Sequence, residues 1–325
     1  MPRNLRDRSD ANRRVVHVTN RCWKGLPFSC NLFIRQTIDA VLAEAQTRYQ
    51  IEIICYLFMG NHYHMILAGG GKRVSQFMNY VDGEIAKRMI RIYGDIWGKG
   101  FWEGRYHEQK LCSLDDVLNK IAYIFSNPVK AGLVHSAEEY PGANSIKALS
   151  APEFTTEKLV PFTYPSQFKP LKSLRNSART WLNLCKEHIA KVKHYPALKT
   201  NLFGWEGCFQ ERRSRAECLS KIQGLMKLTE EQMVGRKVMG PRRLANSFIN
   251  LNYKPKKKSG SRTPFIEACD PGIRRLEISR YRQFKDLCRT AWDNFIKGVE
   301  AVWPYGAYLP SHYRMAKLSF SSAYG

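Results

Sequence analysis

The chain has 325 residues, enough for two globular domains, and its 44% hydrophobic content suits a protein with a buried core rather than a disordered one. Its formal net charge of +24 predicts a polyanionic partner, most commonly nucleic acid. The nine cysteines include no Cys-x-x-Cys pair, which argues against a zinc ribbon or a disulfide framework. We therefore expect several of the cysteines to be small side chains of the core. No leader-like start and no run of eighteen apolar residues occur, so we expect a cytoplasmic protein without a membrane span.

The hydrophobic pattern of the first 150 residues predicts seven elements. In chain order they are a strand at 14–20, a helix at 31–49, strands at 51–58 and 62–68, a helix at 73–93, a strand at 103–111 and a helix at 114–126. Strand, helix, strand, strand, helix, strand is the order of a ferredoxin-like or RRM-like antiparallel sheet, so we predict the α+β class. Plain RNA-binding modules share that order, so the fold alone does not decide the function.

Two histidines, His62 and His64, stand on the third predicted strand with Tyr63 between them. Side chains alternate along a strand, so both imidazoles lie on one face and can aim at one point. Imidazole is a common metal ligand, and the pair is therefore a candidate metal site. The alternative, which an isolated pair does not exclude, is that hydrogen bonds within the core satisfy both rings.

The predicted helix at 114–126 begins after a serine suited to the N-cap position. We expect it to end at Asn127-Pro128, because a proline disfavours helical geometry in the residue before it. Its apolar residues gather on one side, and Tyr123 falls on the other side in line with Lys120 and Asn127. Tyr123 is therefore a candidate functional residue, with packing at the edge of the core as the alternative.

Two stretches, Tyr56–Leu67 with the histidine pair and Tyr123–Val134 with the tyrosine, together resemble the single-tyrosine HUH transposases. The most similar branch is that of the REP-associated tyrosine transposases. The resemblance extends to Val15–Arg21 and Phe101–Tyr106, and it covers about residues 12–148. Both motifs occur in the family's order, each inside the secondary structure that its role requires.

The resemblance implies a catalytic domain at residues 1–150, in which His62, His64 and Asn127 hold a divalent metal ion, Mg or Mn. Ligand softness alone would also permit Zn or Ni. Tyr123 would attack a DNA phosphorus and form a covalent 5′-phosphotyrosine, which keeps the energy of the broken ester for rejoining. Lys120, one turn before Tyr123, is the predicted supporting residue, because a nearby positive charge favours loss of the phenol proton.

The family further implies a substrate of single-stranded DNA with hairpins, such as extragenic palindromic repeats. It also implies that the protein is located in the bacterial cytoplasm, in association with the nucleoid. It implies no nucleotide cofactor and favours a monomer, although related single-tyrosine enzymes form homodimers. One position departs from the family pattern, since Gly60 stands where a proline is common. We therefore expect the chain to enter the histidine strand at a different angle.

Residues 151–325 carry most of the positive charge, with 32 basic against 14 acidic side chains, compared with 20 against 14 before them. Prolines between 152 and 170 predict a linker or a wrapped loop. Helices are predicted at 173–193, 214–227, 229–238 and 275–301. We therefore predict a basic, mainly helical C-terminal region that serves DNA binding or an accessory role.

Further side chains are predicted to contact DNA, either by charge or by stacking on unpaired bases. They are Arg105, Trp102, Lys72, Arg73, Lys130, Lys256, Lys257, Lys258 and Arg262, with Trp97 as a second stacking candidate. The last four basic residues lie in a loop at 254–264, for which a solvated surface run is the alternative. Lys72 follows the glycines at 69–71, whose ordinary role is a flexible loop and whose alternative role is a phosphate-binding nest.

Two other functions stay open on the sequence alone. A protein that keeps this fold could bind DNA without transferring strands. A nickase of the HUH class that initiates rolling replication would share the metal and tyrosine site, but it would carry a helicase, and no Walker-type motif is present. Formation of a covalent protein–DNA adduct separates the enzymes from the plain DNA-binding protein.

Overall fold

The computed structural model describes residues 13–25, 28, 32–94, 96–98, 100–160, 196–247, 265–310 and 320–321. The elements of the first half are β1 (Arg14–Arg21), α1 (Leu32–Tyr49), β2 (Glu52–Phe58), β3 (His62–Gly69), α2 (Gly71–Tyr93), β4 (His107–Leu111) and α3 (Leu114–Lys130). The predicted order of strands and helices is confirmed, and most boundaries agree within two residues.

The second half of the chain adds short strands and longer helices to this framework. Its elements are β5 (Thr155–Leu159), β6 (Ala197–Asn201), α4 (Arg215–Gln232), α5 (Pro241–Ala245), β7 (Ile266–Glu267), α6 (Pro271–Ile296), β8 (Trp303–Pro304) and β9 (Phe320–Ser321). The predicted helices at 214–227 and 275–301 correspond to α4 and α6, which are the two long helices in the described part of this half.

The central sheet has the strand order β2-β3-β1-β4-β7. Its first four strands pair antiparallel, which is the ferredoxin-like arrangement predicted from the element order. The two-residue strand β7 extends the sheet by pairing parallel with β4. The histidine strand β3 is therefore central, with β1 on one side and β2 on the other.

Each face of the sheet is covered by helices with apolar stripes. Helices α1 and α2 cover one face, where Val16, Val18 and Met65 of the strands meet α2 residues such as Phe77 and Val81. Helix α3 covers the other face and packs on strand residues that include Val15, Ile66 and Leu111. Burial of these side chains supplies the main stabilisation of both layers.

The second half of the chain packs on this framework at several places. The antiparallel pair of β5 and β6 lies against α1, where the Gln46 side chain donates to the Lys199 carbonyl at 3.0 Å and accepts from the Lys199 N–H at 2.9 Å. Helix α4 lies along α3 and buries Cys218 and Ile222 in the core under α3. The division at residue 150 stays a prediction, and residues on both sides of it share one core.

The predicted end of α3 at Asn127-Pro128 is wrong, because the helix continues to Lys130 with Pro128 inside it. Proline lacks an N–H and removes only one bond of the last turn. The turn is closed instead by the Ala131 N–H, which donates to the Asn127 carbonyl at 2.9 Å, and by the Leu133 N–H, which donates to the Pro128 carbonyl at 2.9 Å. Asn127 therefore lies on the helix rather than at its end.

Three other expectations need correction. The strand predicted from residue 103 begins at His107, since residues 103–105 form a bend. The helix predicted at 229–238 does not form, because α4 ends at Gln232 and Gly235 follows with a positive φ of 80°. The proline-bearing stretch contains the strand β5. The predicted helix at 173–193 lies outside the described residues.

Several cysteines fill the core, as predicted. Cys22 and Cys55 are fully buried, and Cys218 and Cys288 are also buried. Burial raises the pKa of the Cys22 thiol to about 12, so it stays protonated. These thiols therefore act as small apolar residues.

Candidate active site

Helix α3 carries Tyr123 on the side that its apolar stripe leaves uncovered. The helix begins at Ser113, whose Oγ accepts a hydrogen bond from the Asp116 N–H at 3.2 Å. Its apolar side chains are buried against the sheet, namely Leu114, Val117, Leu118, Ile121, Ile124 and Phe125. Tyr123 is 41% exposed, and the centroid of its ring lies 5.8 Å from that of His64, edge to face.

The histidine pair lies on β3 beneath Tyr123. The rings of His62 and His64 are nearly perpendicular, and their centroids are 5.1 Å apart. His64 is buried and His62 is half-buried. The folded chain therefore brings a phenol and two imidazoles together, as the resemblance implied, from elements remote in sequence.

Asn127 lies one turn after Tyr123 on the same side of α3. Its Nδ2 is buried, and no hydrogen-bond partner for it is found in the described part of the chain. An unsatisfied buried polar atom costs about 1–3 kcal/mol, so this position suits a bound ligand. Rotation of the amide by 180° exchanges Nδ2 with Oδ1 and presents an oxygen, which divalent metal ions bind.

The described residues contain no cluster of three His, Cys, Asp or Glu side chains suited to a metal ion. A metal site around His62 and His64 therefore needs a third ligand of another kind, and the Asn127 amide is the candidate. Two imidazoles and one amide fit a divalent ion, since three protein ligands leave further positions for substrate.

Two ammonium groups flank the Tyr123 ring. The Nζ of Lys120 lies 5.1 Å from the ring centroid and that of Lys130 lies 5.3 Å from it. Lys120 is largely buried and forms an ion pair with Glu267 of β7, whereas Lys130 is exposed. The predicted supporting residue is thus next to Tyr123, and the local positive charge favours an approaching phosphate.

Sequence reasoning missed Glu267, which comes from the second half of the chain. The segment around β7 is tied to the first turn of α3, since the Cys269 N–H donates to Asp116 Oδ1 at 2.7 Å. It is also tied to β4, where the Lys110 N–H donates to the Phe265 carbonyl at 2.9 Å. A strand of two residues has no periodicity, so no local signal marks it.

A third histidine, His17 on β1, lies beside the pair and was also missed. Its Nε2 is 3.0 Å from Nδ1 of His64, and its Nδ1 is 3.3 Å from Oε1 of Gln109 on β4. Burial lowers the pKa of the His17 imidazole to about 3, and the charge of Lys120 adds to this lowering. His17 is therefore neutral at neutral pH.

The other histidine of the pair has its own hydrogen-bond partner in the loop before β3. Asn61 Oδ1 lies 2.7 Å from His62 Nδ1, and Asn61 Nδ2 donates to the Gly25 carbonyl at 2.8 Å. The neighbouring Gly60 carbonyl accepts from the Phe28 N–H at 2.6 Å. Both histidines are thus oriented by side chains from neighbouring segments.

The predicted DNA-contact residues of the first half fall in two places. Arg105 is exposed in the bend before β4, at the histidine end of the sheet, where the Glu103 N–H donates to the Arg21 carbonyl at 2.9 Å. Lys72 and Arg73 are exposed in the first turn of α2, at the far end of β3, about 23 Å from His62 along the strand. Arg105 and Lys130 therefore lie near the site, whereas Lys72 and Arg73 do not.

Both tryptophans belong to the packing around the core, and stacking of the partly buried Trp102 on unpaired bases stays a prediction. Trp97 is 0% exposed, so the prediction that it stacks on unpaired bases is wrong. Trp102 is half-buried in an aromatic cluster with Phe28 and Phe101, and its indole N–H donates to the Asp82 carbonyl at 2.9 Å. A packed indole of this kind stabilises the fold around the site.

The remaining predicted DNA contacts, Lys256, Lys257, Lys258 and Arg262, lie outside the described residues. Among the helices that the structure describes, none has the length and apolar character needed to cross a membrane.

Comparison with known proteins gives a family match over the part of the chain that holds the site. Residues 27–125 match the family described as Transposase IS200 like. The matched stretch includes His62, His64 and Tyr123, and it ends two residues before Asn127. The family resemblance inferred from the two motifs is thereby confirmed.

Two solved structures are similar to parts of this chain. One is a REP-associated tyrosine transposase bound to a REP hairpin, and its sequence is 17% identical to this one. The alignment covers 45% of this chain and 81% of that chain, with a TM-score of 0.35. The other is a candidate transposase of Deinococcus radiodurans R1, which is 16% identical. That alignment covers 33% of this chain and 84% of the other chain, with a TM-score of 0.26. No curated protein matches the chain.

Proposed function

We propose, from the match of residues 27–125 to the IS200-like transposase family, that the chain is a metal-dependent single-strand DNA endonuclease and strand transferase. Tyr123 is its nucleophile, and its intermediate is a covalent 5′-phosphotyrosine. In this proposal residues 1–150 are the catalytic region, and residues 151–325 are a DNA-binding or accessory region.

The observation that carries the proposal is the placement of the Tyr123 ring 5.8 Å from the His64 ring. A nucleophile and a metal site act on one phosphorus atom only when they lie within a few ångströms of each other. The exposure of Tyr123 supports the same role, because a phenol that packs in a core is unreachable for DNA.

The metal site of the proposal consists of His62, His64 and Asn127. A divalent ion held there would neutralise charge on a phosphate oxygen and so favour attack by an anionic nucleophile. The buried Asn127 Nδ2 without a hydrogen-bond partner and the two imidazole rings 5.1 Å apart support this assignment. Mg or Mn is proposed from the family resemblance, and the imidazole ligands would also accept Zn or Ni.

The proposed step is a transesterification. The phenolic oxygen of Tyr123 forms a bond to phosphorus, the bond from phosphorus to the 3′ oxygen breaks, and the phenol proton is lost while the 3′ oxygen gains one. The strand then carries a free 3′ hydroxyl, and its other part is linked to Tyr123 through its 5′ phosphate. Attack by a 3′ hydroxyl from another DNA end reverses the step and joins strands without ATP.

The positive charge around Tyr123 supports a nucleic-acid substrate. Lys120 and Lys130 flank the phenol, and Arg105 is exposed at the same end of the sheet. We propose single-stranded DNA next to a hairpin, such as an extragenic palindromic repeat, because this is the substrate that the family resemblance implies. The proposed enzyme acts as a monomer and needs no nucleotide.

The test uses the full chain with Mn²⁺ and a pool of hairpin oligonucleotides whose single-stranded flanks are randomised. We expect a DNA adduct that survives denaturing electrophoresis in the wild-type protein and in Tyr305→Phe, which changes an exposed tyrosine outside the site. Tyr123→Phe should form none. A label at the 3′ end of the oligonucleotide should stay with the protein, and a label at the 5′ end should be released.

Two results would contradict the proposal. An adduct that persists in Tyr123→Phe would remove this residue from the mechanism. Salt-sensitive DNA binding without any adduct, with each of Mg²⁺, Mn²⁺, Zn²⁺ and Ni²⁺, would identify a DNA-binding protein that keeps the transposase fold.

A further inference from the structure

The hydrogen bonds around His64 have a direction that follows from their chemistry. Oε1 of Gln109 only accepts, so the His17 Nδ1 at 3.3 Å from it carries the proton and donates. A neutral imidazole with its proton on Nδ1 has its lone pair on Nε2. Since the Nε2 of His17 accepts, the His64 Nδ1 at 3.0 Å from it carries the proton. The lone pair of His64 is then on Nε2.

His62 reaches the same state by a separate route. The Asn61 amide is oriented by its Nδ2, which donates to the Gly25 carbonyl at 2.8 Å. Its Oδ1 therefore faces His62 and accepts from Nδ1 at 2.7 Å. The proton of His62 is on Nδ1, and its lone pair is on Nε2.

The row of polar side chains on β3, β1 and β4 is buried, with Gln109 2% and His17 3% exposed. Two residues further along these strands, the same face carries the apolar side chains Ile66, Val15 and Leu111. Apolar residues at positions 17 and 109 would pack under α3 without the desolvation that buried polar groups require. The polar row is therefore expected to orient something, and the group at its end is His64.

We propose that Gln109 and His17 on one side, and Asn61 on the other, fix the tautomers of His64 and His62 so that both offer Nε2 to a divalent ion. The inference rests on the metal site of the proposed function. Histidine ligands are commonly held in this way, with the second ring nitrogen donating to a carbonyl oxygen or another acceptor. Gln109, His17 and Asn61 are positioning residues, since they act through the ligands.

The first experiment measures tautomers in the metal-free protein, so it does not depend on catalysis. Imidazole nitrogens labelled with ¹⁵N are observed by long-range ¹H–¹⁵N correlation, and the rings are assigned with His62→Ala and His64→Ala. We expect the Nδ1–H tautomer for both histidines. In His17→Leu and in Gln109→Leu, His64 should become a mixture of tautomers while His62 stays unchanged.

The second experiment measures Mn²⁺ binding by calorimetry. Loss of a residue that orients a ligand typically weakens metal binding about tenfold to a hundredfold, and we expect this for His17→Leu. His17→Gln should retain much of the affinity, because its amide oxygen can accept from the His64 Nδ1–H. The same contrast is expected between Asn61→Ala and Asn61→Asp, of which only the second keeps an acceptor for His62. Gln223→Leu on the surface of α4 is the control and should bind as the wild type does.

Two outcomes would overturn the inference. One is an Nε2–H tautomer for His64 in the metal-free protein, which would follow from the reverse orientation of the Gln109 amide. The other is an unchanged Nδ1–H tautomer of His64 in His17→Leu, since His17 would then only fill space. A wild-type protein with both expected tautomers that forms no DNA adduct would overturn the proposed function and leave this inference standing.

Discussion

The two faces of the central sheet are built from the same strands but differ in chemistry. Under α1 and α2 the strands present apolar side chains such as Val18 and Met65. Under α3 the face is divided, with Ile66 in an apolar part and the histidines in a polar part at one end. One helix covers both parts, so the packing that holds α3 in place also sets the distance from Tyr123 to His64.

The largest effect is expected from removing a proposed ligand on the divided face. His64→Ala should abolish Mn²⁺ binding and adduct formation, because one imidazole and one amide leave too few ligands to hold the ion. The measurements are calorimetric Mn²⁺ binding and the denaturing gel. His135→Ala removes an exposed histidine and is the matched control. Adduct formation at wild-type level in His64→Ala would contradict the proposal that the metal site lies on this face.

A substitution on the face under α1 and α2 should change the stability of the fold and leave metal binding unchanged. Phe77→Ala on α2 removes a fully buried ring and should lower the free energy of unfolding by about 3–5 kcal/mol. Denaturant titration measures this loss. Below the unfolding transition, the remaining folded protein should bind Mn²⁺ with unchanged affinity. A weakened Mn²⁺ affinity in folded Phe77→Ala would show that the two faces are coupled more tightly than we infer.

The pair of Lys120 and Glu267 sharpens the comparison, because it ties the polar part of the α3 face to the second half of the chain. Glu267→Gln leaves a largely buried ammonium without its counter-ion and should cost about 1–3 kcal/mol of stability. A double-mutant cycle with Lys120→Met isolates the pair. Additive effects of the two substitutions would mean that the contact contributes nothing.

The smallest effect is expected at the outer edge of α3. Hydrogen bonds from Arg213 and Lys221 lower the pKa of the Asp115 carboxyl below its usual 3.8. A carboxyl whose pKa is lower in the folded state than in the unfolded state stabilises the fold at every pH above its unfolded-state pKa. This stabilisation is lost as the pH falls through the folded-state pKa. Asp115→Asn should therefore cost about 0.2–1 kcal/mol at neutral pH and nothing in strong acid. An equal loss at both pH values would exclude the charge as its cause.

Much of the fold was predictable because amphipathic spacing is a local property of the sequence. The stripe of α2 and the alternation around His62 and His64 each reflect one buried face, and the order of these elements gives the sheet topology. The end of α3 was mispredicted because the rule for residues before proline is local. Contacts beyond Pro128 instead close one more helical turn.

The positioning residues could not be predicted, since each depends on a neighbour that only the fold supplies. A histidine within an apolar strand, such as His17, has the same sequence appearance whether it bonds to a second histidine or to nothing. Glu267 reaches the site through a strand of two residues, too short for any pattern. Trp97 shows the same limit, because aromatic content does not tell a stacking platform from a core side chain.

The most direct test of the central claim is to map the covalent bond by mass spectrometry. Trypsin cleaves after Lys120 and Lys130, which releases a peptide of residues 121–130 whose only tyrosine is Tyr123. After reaction with hairpin DNA and Mn²⁺, followed by nuclease digestion, we predict that this peptide carries a nucleotide linked through its 5′ phosphate to Tyr123. A nucleotide on a peptide with another tyrosine, or an unmodified 121–130 peptide from an isolated adduct, would contradict the account.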